Sequence, residues 1–124
     1  MAGIYDPQTI SRLASEEEVD IETSPGPEKP SRRVTIWVVV VDGQVYVRSV
    51  RGPAGRWYRD LQRNPRGALY LGDQAIRVHA VPVTDADRIR AVSDAYLRKY
   101  AASPHAPPMV REEVLPTTLR LDPA

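Results

Sequence analysis

The side chains that could take part in chemistry are concentrated in one basic and aromatic stretch of the sequence, residues 46–66. Within it, Arg48 and Ser49 precede a Gly/Pro turn, and Arg56 follows that turn at the expected start of a helix. Arginine forks bind phosphate or carboxylate through paired hydrogen bonds, and the N–H groups of a helix start also favour an anion. The pattern therefore predicts an anion-binding corner, which these residues form together with Arg51.

Charge is distributed unevenly along the chain, although 17 basic and 16 acidic residues leave a net charge of only +1. Residues 1–28 carry seven acidic residues and one basic residue, whereas residues 29–66 carry nine basic and two acidic residues. A local excess of this size indicates an anionic partner, either a ligand or another part of the assembly. The net charge of the whole chain does not indicate a nucleic-acid or membrane partner.

No catalytic or metal-binding constellation is present in the sequence. The absence of cysteine excludes disulfides, thiolate chemistry and Cys-ligated metals. The two histidines, His79 and His105, do not have the spacing of a metal site, so we predict no metal and assign no catalytic residue. The longest apolar run, residues 34–41, is far shorter than the ~20 residues of a membrane-spanning helix. We therefore expect a cytoplasmic protein without a membrane partner.

A β-hairpin is predicted to position the basic and aromatic residues. Two β-branched runs, 33–41 and 44–51, are joined by Asp42-Gly43, a dipeptide typical of two-residue hairpin turns because both turn positions adopt positive φ. Such a turn fixes the cross-strand pairs, which are, in order from the turn, Val41 with Gln44, Val39 with Tyr46, Trp37 with Arg48, and Thr35 with Val50.

The two faces of this hairpin differ in composition. One face is apolar almost to its end, and its residues, predicted to lie in a barrel interior, are Ile36, Val38, Val40, Val45 and Val47. The opposite face carries Trp37, Tyr46 and Arg48, together with two valines. A face of this kind is unfavourable to leave in water. We therefore expect a second subunit to cover it, in a homodimer.

The remaining elements are short and separated by turns, which is typical of a barrel. They are a helix after Pro7, a strand at 18–24, a loop at 25–31, a helix at 56–64, a hairpin at 68–71 and 74–83, a helix from Thr84 or Asp85 to Tyr100, a short helix at 107–115 and a closing strand at 117–121. We predict a mainly β protein of the α+β class, a six-stranded antiparallel split β-barrel with short bridging helices. Residues 1–17 form an N-terminal helical segment, and residues 18–124 form the split-barrel domain.

The order of these motifs resembles the split-barrel flavin- and deazaflavin-binding family, which has the fold of pyridoxamine-phosphate oxidase. The similarity is greatest to its deazaflavin-dependent nitroreductase-like branch, in which a strand–Asp-Gly–strand hairpin precedes a Gly turn and a W-Y-x-N-L-x-x-N-P motif. The matching positions are Asp42-Gly43, Gly52, Gly55, Trp57, Tyr58, Leu61, Asn64 and Pro65, and the segment 118–123 resembles the final strand. The chain also resembles a small, largely uncharacterised bacterial family that shares its R-V-T-I-W-V-V and Y-V-R-S-V-R-G segments.

The resemblance implies a homodimer that binds FMN or coenzyme F420, a deazaflavin, in a groove between subunits and transfers hydride to a small organic substrate. The cofactor-binding residues that it implies are Thr35, Ile36, Trp37, Arg48, Ser49, Val50, Arg51, Arg56, Trp57 and Tyr58. Tyr46, Tyr58 and Tyr96 are candidate proton donors.

The sequence departs from the family pattern in two places, and these departures leave alternatives open. The family's basic Gly/Ser loop is replaced by residues 25–31, which leaves Lys29, Ser31 and Arg32 as candidate phosphate ligands, and Asp60 replaces an Asn of the helix motif. FMN, another anionic ring ligand and no cofactor at all are therefore alternatives to deazaflavin. A non-catalytic ligand-binding module on the same fold is the second functional hypothesis. Nucleic-acid binding through the basic hairpin is the third.

Overall fold

The structure, a computed structural model, describes residues 4–124. Residues 1–3, the start of the predicted N-terminal segment, lie outside the described residues. Within residues 4–124, three helices and seven strands follow in this order: α1 (Pro7–Ser15), β1 (Val19–Thr23), β2 (Arg32–Ile36), β3 (Val38–Val41), β4 (Gln44–Val47), α2 (Arg56–Arg63), β5 (Arg66–Leu71), β6 (Gln74–Pro82), α3 (Ala86–Lys99) and β7 (Leu119–Pro123). None of these helices has the length and apolarity needed to cross a bilayer.

All strands pair antiparallel in one sheet with the order β2-β1-β5-β6-β7-β4-β3. The sheet curls into a half-barrel, which confirms the predicted α+β split-barrel class. Seven strands occur instead of six because the predicted strand 33–41 is divided at Trp37 into β2 and β3. These two strands are consecutive in the chain but lie at opposite ends of the strand order, so the sheet curls back on itself and its ends meet at Trp37.

The Asp42-Gly43 turn has the predicted conformation, with φ of 51° at Asp42 and 73° at Gly43. The predicted register is confirmed for four pairs, from Val41–Gln44 to Val38–Val47. The pairs predicted beyond this point are wrong, because Thr35 lies opposite Asp20 of β1 and Trp37 lies in no strand. The strand changes partner there because β1 offers β2 a complete antiparallel neighbour.

The interior of the curled sheet is apolar, as predicted. Val38, Val45 and Val47 are completely buried there, and Ile36 is nearly so. They pack with residues of the other strands and of α1, which are Leu13, Ile21, Leu69, Leu71, Val78 and Leu121 among others. Helix α1 therefore shares its core with the sheet.

The outer face of the β3–β4 hairpin is covered by α3 of the same chain and not by the second subunit that we expected. Val39 and Tyr46 are each 1% exposed. They form a second apolar cluster with residues of α3 and the segment after it, which are Val92, Ala95, Tyr96, Tyr100, Ala106 and Met109. The prediction missed this because it treated α3 as a bridge and did not assign its apolar face to a surface of the sheet.

The segment after α3 differs from the prediction of one short helix at 107–115. It contains two 3₁₀ helices, Pro107–Val110 and Leu115–Thr117, and a third 3₁₀ helix, Gly52–Ala54, lies between β4 and α2. The hydroxyl groups of Thr117 and Thr118 donate hydrogen bonds to the carbonyls of Val114 and Leu115. Such local bonds compete with helix and strand pairing, and β7 accordingly begins at Leu119, two residues later than predicted.

Candidate functional site

A cleft opens where the β3–β4 ladder ends. Beyond the Val38–Val47 pair, the chain preceding β3 turns towards β1, while the chain following β4 passes into the 3₁₀ helix Gly52–Ala54. The two backbones diverge and leave a cavity of about 220 Å³ between them. Its lining residues are Glu18, Thr35, Ile36, Trp37, Arg48, Val50, Trp57, His105 and Met109.

Trp37 forms part of the wall of this cleft and is held in place by the C-terminal part of α3. Its ring stacks on that of Tyr100, with the centroids 3.9 Å apart and the planes 2° from parallel. The hydroxyl of Tyr100 donates to the carbonyl of Glu17 over 2.6 Å, and that of Tyr96 donates to the carbonyl of Trp37 over 3.1 Å. The position of Trp37 is therefore set by Tyr96 of α3 and by Tyr100, which follows its last residue.

Arg48 lines the same cleft, but its guanidinium is engaged within the chain. The residue is 2% exposed. Its hydrogen-bond acceptors are Thr118 Oγ1 at 2.8 Å, Ser93 Oγ at 2.8 Å, Ile89 O at 2.8 Å and Met109 O at 3.2 Å. None of these is a carboxylate, and desolvation by burial lowers the pKa of Arg48 below its usual value. Arg48 thus ties α3 and the 107–110 helix to the cleft wall.

Two other predicted site residues, Ser49 and Tyr58, are buried outside the cleft lining. The N–H of Ser49 donates to Thr117 Oγ1 over 3.0 Å, and a Cβ at Gly55 would collide with the Ser49 hydroxyl. Tyr58 belongs to the barrel core, where its hydroxyl accepts a hydrogen bond from Gln62. Gly55 is therefore required for the close approach of the turn to the end of β4.

The two exposed arginines of the predicted anion-binding corner flank the turn between β4 and α2. Arg51 follows Val50, which lines the cleft, and Arg56 precedes Trp57, which also lines it. Helix α2 begins at Arg56 without a side-chain cap, so its first N–H groups receive no side-chain acceptor. The two arginines are thus sequence neighbours of cleft residues, and their charged side chains are exposed to solvent.

The residues that depart from the family pattern lie elsewhere. Ser31 lines a different cleft, and its hydroxyl donates to Glu22 over 3.3 Å. Lys29 and Arg32 are exposed. Asp60 is buried and accepts a hydrogen bond from Thr23 over 3.0 Å, so the substitution for Asn occurs in a polar contact between α2 and β1.

Three residues of the cleft were not predicted. Glu18 immediately precedes Val19, which pairs with Ile36, so a correct β1–β2 register would have identified it. His105 and Met109 come from the segment after α3, and the carbonyl of Met109 accepts from Arg48. The sequence placed His105 in a Pro-rich loop and Met109 in the predicted helix at 107–115, and it gave the position of neither relative to the hairpin. The cleft contains three groups that carry or can carry charge, which are Glu18, Arg48 and His105.

None of the three candidate proton donors lines the cleft. Tyr46 donates to Gln44, Tyr58 to Pro116, and Tyr96 to Trp37. Burial raises the pKa of each of these tyrosines above its usual value. Within residues 4–124, no group of three or more His, Cys, Asp or Glu side chains is arranged to hold a metal ion.

Comparison with known proteins gives one family match and several structural matches. Residues 9–121 match the model of a family described as an uncharacterized protein conserved in bacteria, DUF2255. No curated protein matches the sequence.

Solved structures of low sequence identity share the fold over almost the whole chain. An F420-H2-dependent reductase is 16% identical, with 98% of this chain and 99% of that chain covered and a TM-score of 0.63. The heme storage protein HutZ from Vibrio cholerae is 11% identical, with 98% and 92% covered and a TM-score of 0.66. A putative 5-nitroimidazole antibiotic resistance protein from Bacteroides thetaiotaomicron is 19% identical, with 97% and 80% covered and a TM-score of 0.62. These matches show the fold.

Proposed function

The chain belongs to the DUF2255 family of bacterial proteins, and we propose that it binds a flavin or deazaflavin cofactor and transfers hydride to a small organic substrate. The observation that carries this proposal is the cleft at the end of the β3–β4 ladder. Six of the ten residues that the sequence assigned to cofactor binding line it, although they come from three separate segments of the chain; they are Thr35, Ile36, Trp37, Arg48, Val50 and Trp57.

The cleft fits the ring system of such a cofactor and not its whole length. Trp37 and Trp57 supply flat aromatic surface, and β2 pairs with β1 along one edge only within residues 4–124, so its other edge can offer main-chain groups to a heterocycle. The volume of about 220 Å³ is smaller than the ~300–1,000 Å³ of pockets that enclose a drug-sized ligand. The ring would enter the cleft, and the phosphate-bearing tail would stay outside.

Arg51 and Arg56 are the proposed phosphate ligands. Both are exposed, both adjoin residues of the cleft, and the uncapped start of α2 adds main-chain donors at Arg56. Arg48 has four hydrogen bonds to its own chain, so we assign it to holding the cleft wall. Ser49, through its contact with Gly55, and Tyr58, in the core beneath α2, would position this corner without touching the ligand.

The cofactor, when bound, would supply the hydride, and the protein would orient the reactants and exclude water. Trp37, fixed by Tyr100 and Tyr96, provides a rigid surface for orientation. This division of labour agrees with a cleft that contains only Glu18, Arg48 and His105 as charged or titratable groups. No residue of the chain has to form a covalent bond.

A homodimer would complete this site. Val34 of β2 is 38% exposed and Val50 is 46% exposed, so apolar surface adjoins the open side of the cleft. A second subunit placed there would cover both valines and shield a bound ring from water. A Val50→Arg variant should then be a monomer in sedimentation velocity, whereas the wild type should be a dimer at micromolar concentration. A monomeric wild type would exclude a shared groove.

The absorbance spectrum of the purified protein and calorimetric titration with FMN and F420 test the proposal. A charge-assisted hydrogen bond contributes ~1.5–3 kcal/mol, and because Arg56 is exposed we expect Arg56→Ala to weaken binding by about tenfold. Arg63→Ala is the matched control at the other end of α2 and should change affinity by less than about twofold, since the effect of the helix start fades within one turn. Equal losses in the two variants would indicate general electrostatic attraction, and a wild type that binds neither compound would overturn the proposal.

A second candidate is a non-catalytic module that holds a ring ligand on the same fold. The heme storage protein that shares the fold is an example of ligand holding by this architecture. Turnover separates the candidates, because a protein that binds reduced cofactor yet reduces no nitro or enone test substrate would be a binding module.

A further inference from the structure

Lys99 occupies the junction of α1, β3 and the end of α3. Its Nζ donates to the carbonyl of Val38 over 2.6 Å and to the carbonyl of Leu13 over 2.9 Å. It also lies 5.2 Å from the centroid of the Tyr100 ring. Neither of its hydrogen-bond partners is a carboxylate, so both hydrogen bonds of the amine go to neutral groups.

A small cleft opens at the same junction, and Lys99 is one of its lining residues. Its volume is about 190 Å³, and its other lining residues are Ala14, Val39, Val40, Ala95 and Arg98. Four of these five residues offer methyl groups, and the fifth is an exposed arginine. The lining of the cleft therefore brings four apolar residues, an arginine and a lysine together around a space the size of a few heavy atoms. It is separate from the cleft of Trp37.

We propose that Lys99 is a site of covalent acylation by small acyl phosphates. The apolar lining accepts a short acyl chain, and Arg98 binds the phosphate, which it suits as a bidentate ligand. In the reaction the amine nitrogen attacks the acyl carbon and forms an amide bond. The bond between that carbon and the phosphate oxygen breaks, phosphate leaves with the electron pair, and the nitrogen releases its proton to water. The reaction needs no oxidant, reductant or cofactor.

The surroundings of Lys99 favour the nucleophilic form of the amine. Desolvation by burial lowers its pKa to about 8, against an opposing effect of Glu16 and Glu17. Arg98 lines the same cleft, and Tyr100 packs beside the amine. A neutral amine has two N–H groups, which match the two carbonyls, and its lone pair remains available. At pH 8 about half of such amines are neutral, compared with less than about 1% for a lysine of ordinary pKa.

Acylation would loosen the junction of α1, β3 and α3. The amide nitrogen keeps one N–H in place of several, so one of the two carbonyls loses its donor. Leu13 O lies in the last turns of α1, and Val38 O lies at the start of β3. Loss of either bond would weaken a contact between α3 and the element that carries this carbonyl.

The chain contains its own control, because Lys29 is the only other lysine. The full chain is incubated with acetyl phosphate at pH 8, and acetylation at each lysine is followed by peptide mass spectrometry. We expect Lys99 to react about tenfold faster than Lys29, since its larger neutral fraction outweighs the lower intrinsic nucleophilicity of an amine of lower pKa. Equal rates, or faster reaction at Lys29, would overturn the proposal.

The role of Arg98 is tested separately. Arg98→Gln should slow acetylation of Lys99 by acetyl phosphate severalfold, and it should leave the reaction with uncharged acetic anhydride unchanged. Loss of reactivity towards both reagents would instead indicate that the substitution disturbed the cleft, and it would contradict the assignment of phosphate to Arg98. An unchanged rate with acetyl phosphate would contradict it as well. Neither measurement depends on the cofactor proposed for the cleft of Trp37.

Discussion

Strands β2 and β3 are one continuous β-branched segment in the sequence, yet they lie in opposite environments. In β2 only Ile36 is buried, and the strand has one neighbour, β1. In β3 the first two residues, Val38 and Val39, are 0% and 1% exposed, one facing the barrel core and the other facing α3. Composition is almost the same in both halves. What differs is which other parts of the chain cover them.

The comparison shows where a binding site can arise in a curled sheet. Strand β3 pairs with β4 along its edge and is covered by α3 on its outer face. Strand β2 does not continue this pairing with β4 and pairs with β1 instead. Trp37 lies at the change of partner, where neither ladder continues. The two backbones diverge at this point, so the cleft forms there and not within either half.

The largest loss of stability is expected from substitution of Arg48, whose hydrogen bonds join the end of β4 to α3. Arg48→Ala leaves the carbonyl of Met109 and the hydroxyl oxygen of Thr118 without this donor in a buried environment. Unsatisfied buried groups cost about 1–3 kcal/mol each, so we expect a loss of about 3 kcal/mol or more in the free energy of unfolding. Urea denaturation measures it. Arg56→Ala is the exposed control and should change stability by no more than about 0.5 kcal/mol; a similar loss in both would contradict the structural role of Arg48.

A matched pair of valines compares the two halves directly. Val38→Ala removes two methyl groups from the barrel core and should cost about 2 kcal/mol, at ~0.8 kcal/mol per buried carbon plus the cavity left behind. At a protein concentration at which the proposed dimer is dissociated, Val34→Ala in β2 should remain within about 0.5 kcal/mol of the wild type, because that side chain is 38% exposed in the single chain. The same denaturation experiment serves for both variants. Equal losses at that concentration would contradict the difference in burial between the two halves.

The boundary itself is tested at Trp37. Trp37→Leu removes the stack on Tyr100, and aromatic pairs contribute about 0.5–1.5 kcal/mol beyond the area that they bury, so we expect a loss of about 1 kcal/mol. The near-ultraviolet circular dichroism should change in parallel. Trp57→Leu keeps the Tyr100 stack intact, and its spectrum should retain the contribution of that pair. A spectrum unchanged by Trp37→Leu would show that the indole does not stack in solution.

The smallest effect on stability is expected at Lys99, whose amine donates a hydrogen bond to the carbonyl of Val38, the first residue of β3. Its pKa is lowered from 10.5 to about 8 in the folded protein, so the unfolded chain binds more protons between these pH values. The stability of the wild type relative to Lys99→Gln should therefore rise between pH 8 and about 10.5 and stay constant below pH 8. The slope should be a fraction of 1.36 kcal/mol per pH unit, because the side chain is only partly buried. Thermal unfolding across this range checks the sign, and a falling difference would contradict it.

Ionisation of Tyr100 has the opposite effect on the pH dependence of stability, at higher pH. Desolvation by burial raises its pKa from 10.0 to about 12, so the folded protein binds more protons than the unfolded chain above pH 10, and its stability falls there. Because Tyr100 is present in both proteins, this contribution cancels in the comparison with Lys99→Gln.

The parts of the fold that depend on local geometry were predictable from the sequence. The Asp42-Gly43 turn fixes both φ values and thereby the register of four residue pairs, and the hairpin around Gly72 follows the same logic. Local signals also predicted α3, because the cap at Asp85 and the helical spacing of its apolar residues can both be read from the sequence.

The rest could not be predicted, because it depends on contacts between distant residues. The end of the hairpin ladder requires β1 to be available to β2, and the burial of Arg48 requires acceptors that lie 41 to 70 residues away. An arginine beside a Trp and a Ser has the same local pattern whether its partners are a phosphate or its own chain. For the cleft, the sequence predicted Trp37 and Trp57. It did not predict Glu18, which precedes β1, or His105 and Met109, which follow α3.

The position of the two tryptophans also has a spectroscopic consequence. Trp37 and Trp57 are the only tryptophans of the chain, and both line the same cleft. Emission from selectively excited indole therefore originates entirely at this site, and a chromophore that absorbs in the near ultraviolet and blue would quench both emitters by energy transfer when it enters. The protein thus carries its own optical reporter. Unlabelled chain can be titrated with any coloured candidate ligand, and the single Leu variants assign the signal to one wall of the cleft or the other.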